Sequence, residues 1–279
     1  MKMKKMKTIL IIGIIGIGIG ILTLTSCEKK TNSTPEESNL TAYSNYLNAV
    51  SMFALPDIEK ATMDEEDNLK STTFSDCLII TVTENENGEF WPLNKTLDFG
   101  AENCEDYRGN QRRGIINISI SDWWRNEGSV RQITFDNYYF NDNKLEGIKT
   151  ITNNGLNIDG NLTFTKTVEN ASITFVDGTS VNWDCIRNSE LIEGGDTYIF
   201  ADDVWSVTGS GTGINGGGQS YTVNITSALI YNNACYFPVS GIVEIITNGG
   251  NTGIINFGDG ECDTQASLTV GGITTTIDL

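Results

Sequence analysis

Residues 172–183 read SITFVDGTSVNW. Two runs rich in β-branched and aromatic residues, 172–176 and 179–183, flank Asp177-Gly178. Asp-Gly between such runs predicts a β-hairpin, because both residues tolerate positive φ at a tight two-residue turn. The same alternation extends in both directions. From Phe74 to Leu279, short segments of Ile, Val, Thr, Tyr and Phe are broken by Gly, Asn and Asp. Asn87-Gly88, Asn154-Gly155 and Asp159-Gly160 mark further turns. The whole chain has only four prolines, so few strands are interrupted. The spacing predicts about twelve to fifteen antiparallel strands. The expected class is mainly β, a sandwich or an extended meander rather than a closed barrel, with one short N-terminal helix.

That helix is expected over 39–56. Leu40, Tyr43, Leu47, Val50 and Ala54 recur at three- and four-residue steps, and Pro56 stops the pattern. Before it, 27–38 is polar and reads as a flexible tether. Before that, Lys2, Lys4, Lys5 and Lys7 precede an uncharged apolar stretch, 8–24, and then Leu24-Thr25-Ser26-Cys27. A basic start, an apolar stretch and a small-residue cleavage site describe a secretory signal peptide, expected over 1–26. The stretch stands at the short limit for a membrane-spanning helix. Its Gly-Ile alternation has neither dinucleotide nor P-loop spacing.

The formal charge is −18. Removing 1–26 takes away four lysines and no acid, so the 253-residue mature chain carries −22. Such a charge repels nucleic acid and anionic head groups, and no nucleic-acid partner is expected.

Six cysteines occur. Setting Cys77 on Cys235, an offset of 158, aligns Phe99-Gly100 with Phe257-Gly258, Cys104 with Cys262, and Gly114-Ile115 with Gly272-Ile273. A diverged repeat is therefore expected at 77–121 and 235–279. Export permits oxidation. No His and no Cys-x-x-Cys occur, which disfavours zinc. The register selects Cys77–Cys104 and Cys235–Cys262 as disulfides, leaving Cys185 as a thiol, by preference a buried apolar one.

Without His, Ser-His-Asp and Cys-His catalysis and His-bound metals are excluded. Paired-carboxylate hydrolysis survives in principle, but nothing picks out a pair, so no catalytic residue is assigned and an enzyme is not favoured. Asp98, Glu102, Glu105 and Asp106 surround Cys104; Asp259, Glu261 and Asp263 surround Cys262. They match no complete calcium loop and read as solvated turn acids, with calcium a weak alternative. The acidic run 64–67 reads the same way. Trp91, Trp123, Trp124, Trp183, Trp205, Tyr138 and Tyr139 would suit sugar rings if they formed an exposed row, though core packing is the simpler reading. Adjacent members point to opposite faces if they lie in strands. Residues 209–218, GSGTGINGGG, lack the lysine of a phosphate loop and are expected to form a mobile hairpin loop.

Leu24-Thr25-Ser26-Cys27 resembles the lipobox of bacterial lipoproteins. That resemblance implies cleavage before Cys27, acylation of its thiol, and then of its freed amine. Several acyl chains on one residue supply stable anchoring. With the Phe-Gly-x3-Cys pattern and the stretch 257–279, the chain resembles uncharacterised β-rich lipoproteins of Bacteroidetes. The resemblance implies a lipid-anchored envelope protein, with the outer membrane favoured and its face left open, and transfers no catalytic residue. The expected role is non-catalytic binding of a glycan, peptide or protein. The alternatives are an assembly subunit pairing strand edges and a carboxylate-dependent hydrolase.

Overall fold

A computed structural model describes Ala61 and residues 77–83, 91–106, 109–197 and 199–279. These fall in the unit Thr34–Leu279; the other unit, Met1–Ser33, lies outside them. The expected signal peptide, Cys27, the tether 27–38 and the helix 39–56 all lie outside the described residues.

The strands are β1 Ile79–Thr83, β2 Leu93–Asp98, β3 Cys104–Glu105, β4 Gln111–Ile120, β5 Val130–Phe140, β6 Asn143–Leu156 and β7 Leu162–Thr174. They continue with β8 Ser180–Glu193, β9 Val204–Ile214, β10 Ser220–Asn232, β11 Ser240–Thr247, β12 Thr252–Asp259, β13 Gln265–Val270 and β14 Ile273–Asp278. All fourteen belong to one sheet. Each pairs with its neighbour in sequence, except that β2 pairs with β4 and the short β3 also lies on β4. The architecture is the extended meander.

Most strands alternate more buried with more exposed residues, clearest in β2, β11 and β12, as a half-buried sheet requires. Leu97, Ile116, Tyr138, Ile173 and Ile255 are wholly buried, and they join one hydrophobic cluster reaching from Leu78 to Leu268. Burying each Leu or Ile contributes about 2 kcal/mol. A flat sheet open to water could not enclose them so completely.

The bends in the strands supply part of the reason. Pairing registers shift between Arg113 and Ile115 on β4, Thr134 and Tyr139 on β5, Glu146 and Ile148 on β6, and Val168 and Ala171 on β7. A second line of shifts crosses β10 and β11, at 225–230 and 240–242. Asn137 and Asn170 stand at φ of 45° and 52° there, a conformation that Asn tolerates. The Asn170 amide donates instead to Asp184 Oδ1 at 2.6 Å. Gly147, at φ 128°, faces β7 so closely that a Cβ would lie 2.7 Å from Ala171 Cα. Bulges bend strands and sharpen twist, and aligned across neighbours they curl the sheet around its apolar face.

The hairpin at Asp177-Gly178 forms, but not with a two-residue turn. Thr174 pairs with Ser180, Gly178 N donates to Phe175 O at 2.9 Å, and Phe175 N donates to Thr179 O at 2.8 Å. Gly178 has positive φ and Asp177 does not. Asp177 instead accepts from the Thr179 amide at 2.9 Å. The same pair of main-chain bonds, with Gly in fourth place, closes the turns at 106–110, 157–161, 215–219 and 247–251. A type I turn followed by a left-handed residue fits the strand twist, and only that residue needs to be glycine.

The stretch 209–218 corrects the loop expectation. Gly209, Gly211 and Gly213 lie within β9, and the turn occupies only 215–219. A Cβ at Gly211 would lie 2.8 Å from that of Cys185, and one at Gly213 would be driven into the Tyr221 ring. Glycine here makes room for neighbouring side chains rather than making a loop.

Candidate functional site

Successive turns of a meander alternate between its two ends. The β4–β5 loop, the β6–β7 turn and the β8–β9 loop share one end, and between them lies a cleft of about 650 Å³. Leu162 and Leu191 are buried at its floor, while Leu156 and Ile192 are exposed in its wall. Ile158, beside Leu156 in the same turn, is fully exposed, and so is much of Ile199 in the β8–β9 loop.

Arg125 ties two of these loops together. Its Nη1 donates to Gly195 O at 2.7 Å and its Nη2 to Thr197 O at 2.8 Å, with the guanidinium 4.6 Å from the Trp124 ring centroid. Glu127 lies along Gly155, where a Cβ would meet it at 2.9 Å. Asn157 and Asn161 both donate to Glu190 Oε1, at 2.8 and 2.7 Å, and hold that carboxyl below its ordinary pKa. Behind the β8–β9 loop, Asp203 is buried and accepts from Asn233 Nδ2 at 3.5 Å. Burial pushes its pKa up to about 6; the neighbouring Asp202 charge adds to this and Arg125 opposes it.

Glu127, Glu193 and Asp196 line the cleft against the one cation Arg125. The balance is acidic, so the cleft suits neutral hydroxyl-rich or cationic groups and repels anions. Sequence reading did not pick out these residues, because they come from loops up to 71 positions apart (Arg125 to Asp196). The available signals were the Trp123-Trp124-Arg125 loop and the gap Gly194-Gly195 between two strand-like runs.

The aromatic expectation divides. Tyr138 and Tyr139 lie in β5 and face opposite ways: Tyr138 is fully buried, and Tyr139 carries the Arg113 guanidinium 3.8 Å from its ring centroid. Trp123 and Trp124 lie in a loop instead; they tilt against each other at 6.2 Å, and Trp124 stacks on Phe164 at 6.1 Å. Trp183 is buried, and Trp91 and Trp205 pack against the core. No exposed aromatic row is formed by these residues.

The disulfides are Cys77–Cys104 and Cys235–Cys262, with Cα separations of 6.0 and 5.4 Å. Near each, a buried phenylalanine (Phe99, Phe257) precedes a glycine of positive φ (Gly100, Gly258). The glycine amide donates two residues back, to Asp98 Oδ1 at 2.8 Å in one case and Asn256 Oδ1 at 3.0 Å in the other. The likeness stops further on, since Gly114 lies inside β4 and Gly272 in the β13–β14 turn. Cys185 is a free, half-buried thiol, and burial pushes its pKa up.

Several of the acids beside the cysteines are engaged locally. Asp106 Oδ2 accepts from buried Arg112 Nε at 3.0 Å, Glu105 accepts from Gln111 at 2.8 Å, and Asp263 accepts from the Gln265 amide at 3.1 Å. Among the described residues, no group of three or more His, Cys, Asp or Glu side chains is placed to hold a metal.

Charge is unevenly divided across the sheet, with Arg113 and Lys144 the cations on outward positions that pair with Asp142 and Glu146. Lys95, Arg131 and Lys149 are buried on the inward face, where Lys166 and Arg187 stand opposite each other in register. The strand acids Asp98, Asp136, Glu146, Glu169, Asp184 and Glu244 occupy the outward positions of the alternation. Lys95 Nζ donates to the carbonyl of buried Ala61 at 3.3 Å, so residue 61 sits against this face. No family model, curated protein or solved structure matches the chain.

Proposed function

We propose that this is a lipid-anchored protein of the bacterial cell envelope, belonging with the β-rich lipoproteins of Bacteroidetes. It is held at the outer membrane through Cys27 and binds a glycan, peptide or protein without catalysis. The observation that carries the binding role is the cleft between the β4–β5, β6–β7 and β8–β9 loops, with Leu156, Ile158 and Ile192 exposed beside an acidic lining. Loops at one end of a rigid sheet are where binding surfaces concentrate. A concave site with apolar walls and a few convergent polar groups is the usual form of a ligand pocket. The resemblance of residues 24–27 to a lipobox supports this reading, since an exported, anchored surface meets envelope sugars and peptides.

The test uses the full chain in detergent against arrays of neutral envelope oligosaccharides, basic peptides and acidic peptides. Binding to a neutral or basic member is expected. Leu156→Asp with Ile158→Asp should weaken it at least tenfold with the melting temperature unchanged, since both side chains are exposed. Binding that is indifferent to these changes would place the surface elsewhere. Selective binding of acidic peptides would contradict the charge argument.

A further inference from the structure

β14 is the outermost strand on one side of the sheet, and β13 is its strand partner among the described residues. Every residue of β14 except half-buried Ile277 is exposed, with Ile273 at 59%. Pairing with β13 runs unbroken from Gln265↔Asp278 to Val270↔Ile273. The strand therefore lacks the bulge, the proline and the lysine that usually blunt an edge.

The direction of its outward groups follows from one bond. Leu279 N donates to Thr264 O at 2.8 Å. In an antiparallel ladder, residues alternate between bonding their neighbour and facing away from it. Counting back, Ile277, Thr275 and Ile273 bond β13. Thr274, Thr276 and Asp278 turn their N–H and C=O groups outward.

The strand reads Ile273-Thr274-Thr275-Thr276-Ile277, the same in both directions. We propose that β14 pairs antiparallel with β14 of a second copy of this chain, about a two-fold axis through Thr275. Thr274 then lies opposite the other copy's Thr276, and the reverse, and these are the residues whose main-chain groups face outward. Four interchain hydrogen bonds result. The two Thr275 residues meet as a non-hydrogen-bonded pair, where side chains are closest. Each Ile273 meets the other copy's Ile277 on the same face, so the mostly exposed Ile273 gains an apolar neighbour. A one-residue slip would set outward groups against inward ones. The matched pair of surfaces is the isologous kind that a two-fold dimer needs. A single pair of short strands makes a small interface, and two chains of formal charge −18 repel, so the dimer is weak and tightens with salt.

Disulfide trapping in the full chain tests this directly. Two non-hydrogen-bonded residues approach to about 4.5 Å between Cα atoms, within bridging reach. Thr275→Cys should give a covalent dimer on oxidation, joined through position 275 in peptide maps. Thr276→Cys should give far less. Thr276→Pro removes an outward N–H and spares the bonds to β13; it should abolish the dimer in sedimentation at unchanged melting temperature. A wild-type chain that stays monomeric at every concentration and salt tested would overturn the proposal. So would a dimer that survives Thr276→Pro, or trapping at 276 in preference to 275.

Discussion

Asp203 carries a carboxyl whose pKa is displaced well above its ordinary range. It is buried behind the cleft, and its carboxyl is held at about 6 against an ordinary 3.8. The sign follows from proton binding. Between the two values the folded chain holds a proton that the unfolded chain has released, so folding is favoured at the acid end. This contribution is fully present below the unfolded pKa and is lost as pH rises through about 6. Asp203→Asn keeps the shape and removes the charge. Relative to wild type, it should melt higher at pH 7.5 than at pH 4.5. Glu190, Asp142 and Asp177, whose values are lowered, act in the opposite direction but are common to both proteins and cancel in the comparison. A difference in melting temperature that does not change with pH would show that Asp203 titrates normally. None of this was legible in the sequence, where Asp202-Asp203 is an ordinary acidic pair. Gly194 of the β8–β9 loop lies against Asp203 so closely that a Cβ there would stand 2.6 Å from its Oδ1.

At the scale of the element, the strands were legible and their bends were not. The β-rich runs 172–176 and 179–183 are local signals, and they locate the end of β7 and the start of β8 from the sequence alone. A bulge depends on which residue lies opposite which, and that is decided between strands. Asn137 and Asn170 carry no signal that separates them from the many asparagines in turns. The hairpin at Asp177-Gly178 shows the same limit, since Asp-Gly marks the turn but the flanking register decides its type. Gly147 gives the sharpest test of the curled sheet. Its φ of 128° is one that side chains rarely adopt, and β7 leaves no space for a Cβ. Gly147→Val should cost at least about 2 kcal/mol, from backbone strain and overpacking together. Gly178→Val, in an open turn with nothing within 4 Å, carries the positive-φ penalty alone and should cost less. Denaturant unfolding of the two variants measures the difference, and equal losses would mean that the approach of β6 to β7 is unimportant.

At the scale of the whole molecule, the disulfides sit toward opposite flanks of an open meander. Cys77–Cys104 ties the start of β1 to β3, and Cys235–Cys262 ties the β10–β11 loop to the β12–β13 loop. Their pairing was readable because a repeated spacing restricts partners even when little else in two segments agrees. The cleft was not readable, because it exists only once the meander has brought three loops to the same end. Each bridge spans 27 positions. Replacing either pair by serine should cost about 3 kcal/mol in the chain-entropy model. For a chain of this size that lowers the melting temperature by roughly 6–12 °C. Calorimetry of C77S/C104S and C235S/C262S checks it, and an unchanged melting temperature would show that the flanks hold without their staples.

The central claim, an exported lipid-anchored sheet stapled twice, meets its most direct test in one mass measurement. The protein is purified from its native cells, and its intact mass and non-reducing peptide map are recorded. The expected result is a chain that begins at acylated Cys27, contains Cys77–Cys104 and Cys235–Cys262, and keeps Cys185 as a thiol. A chain that retains residues 1–26, an unmodified Cys27, or any other cysteine pairing would contradict it.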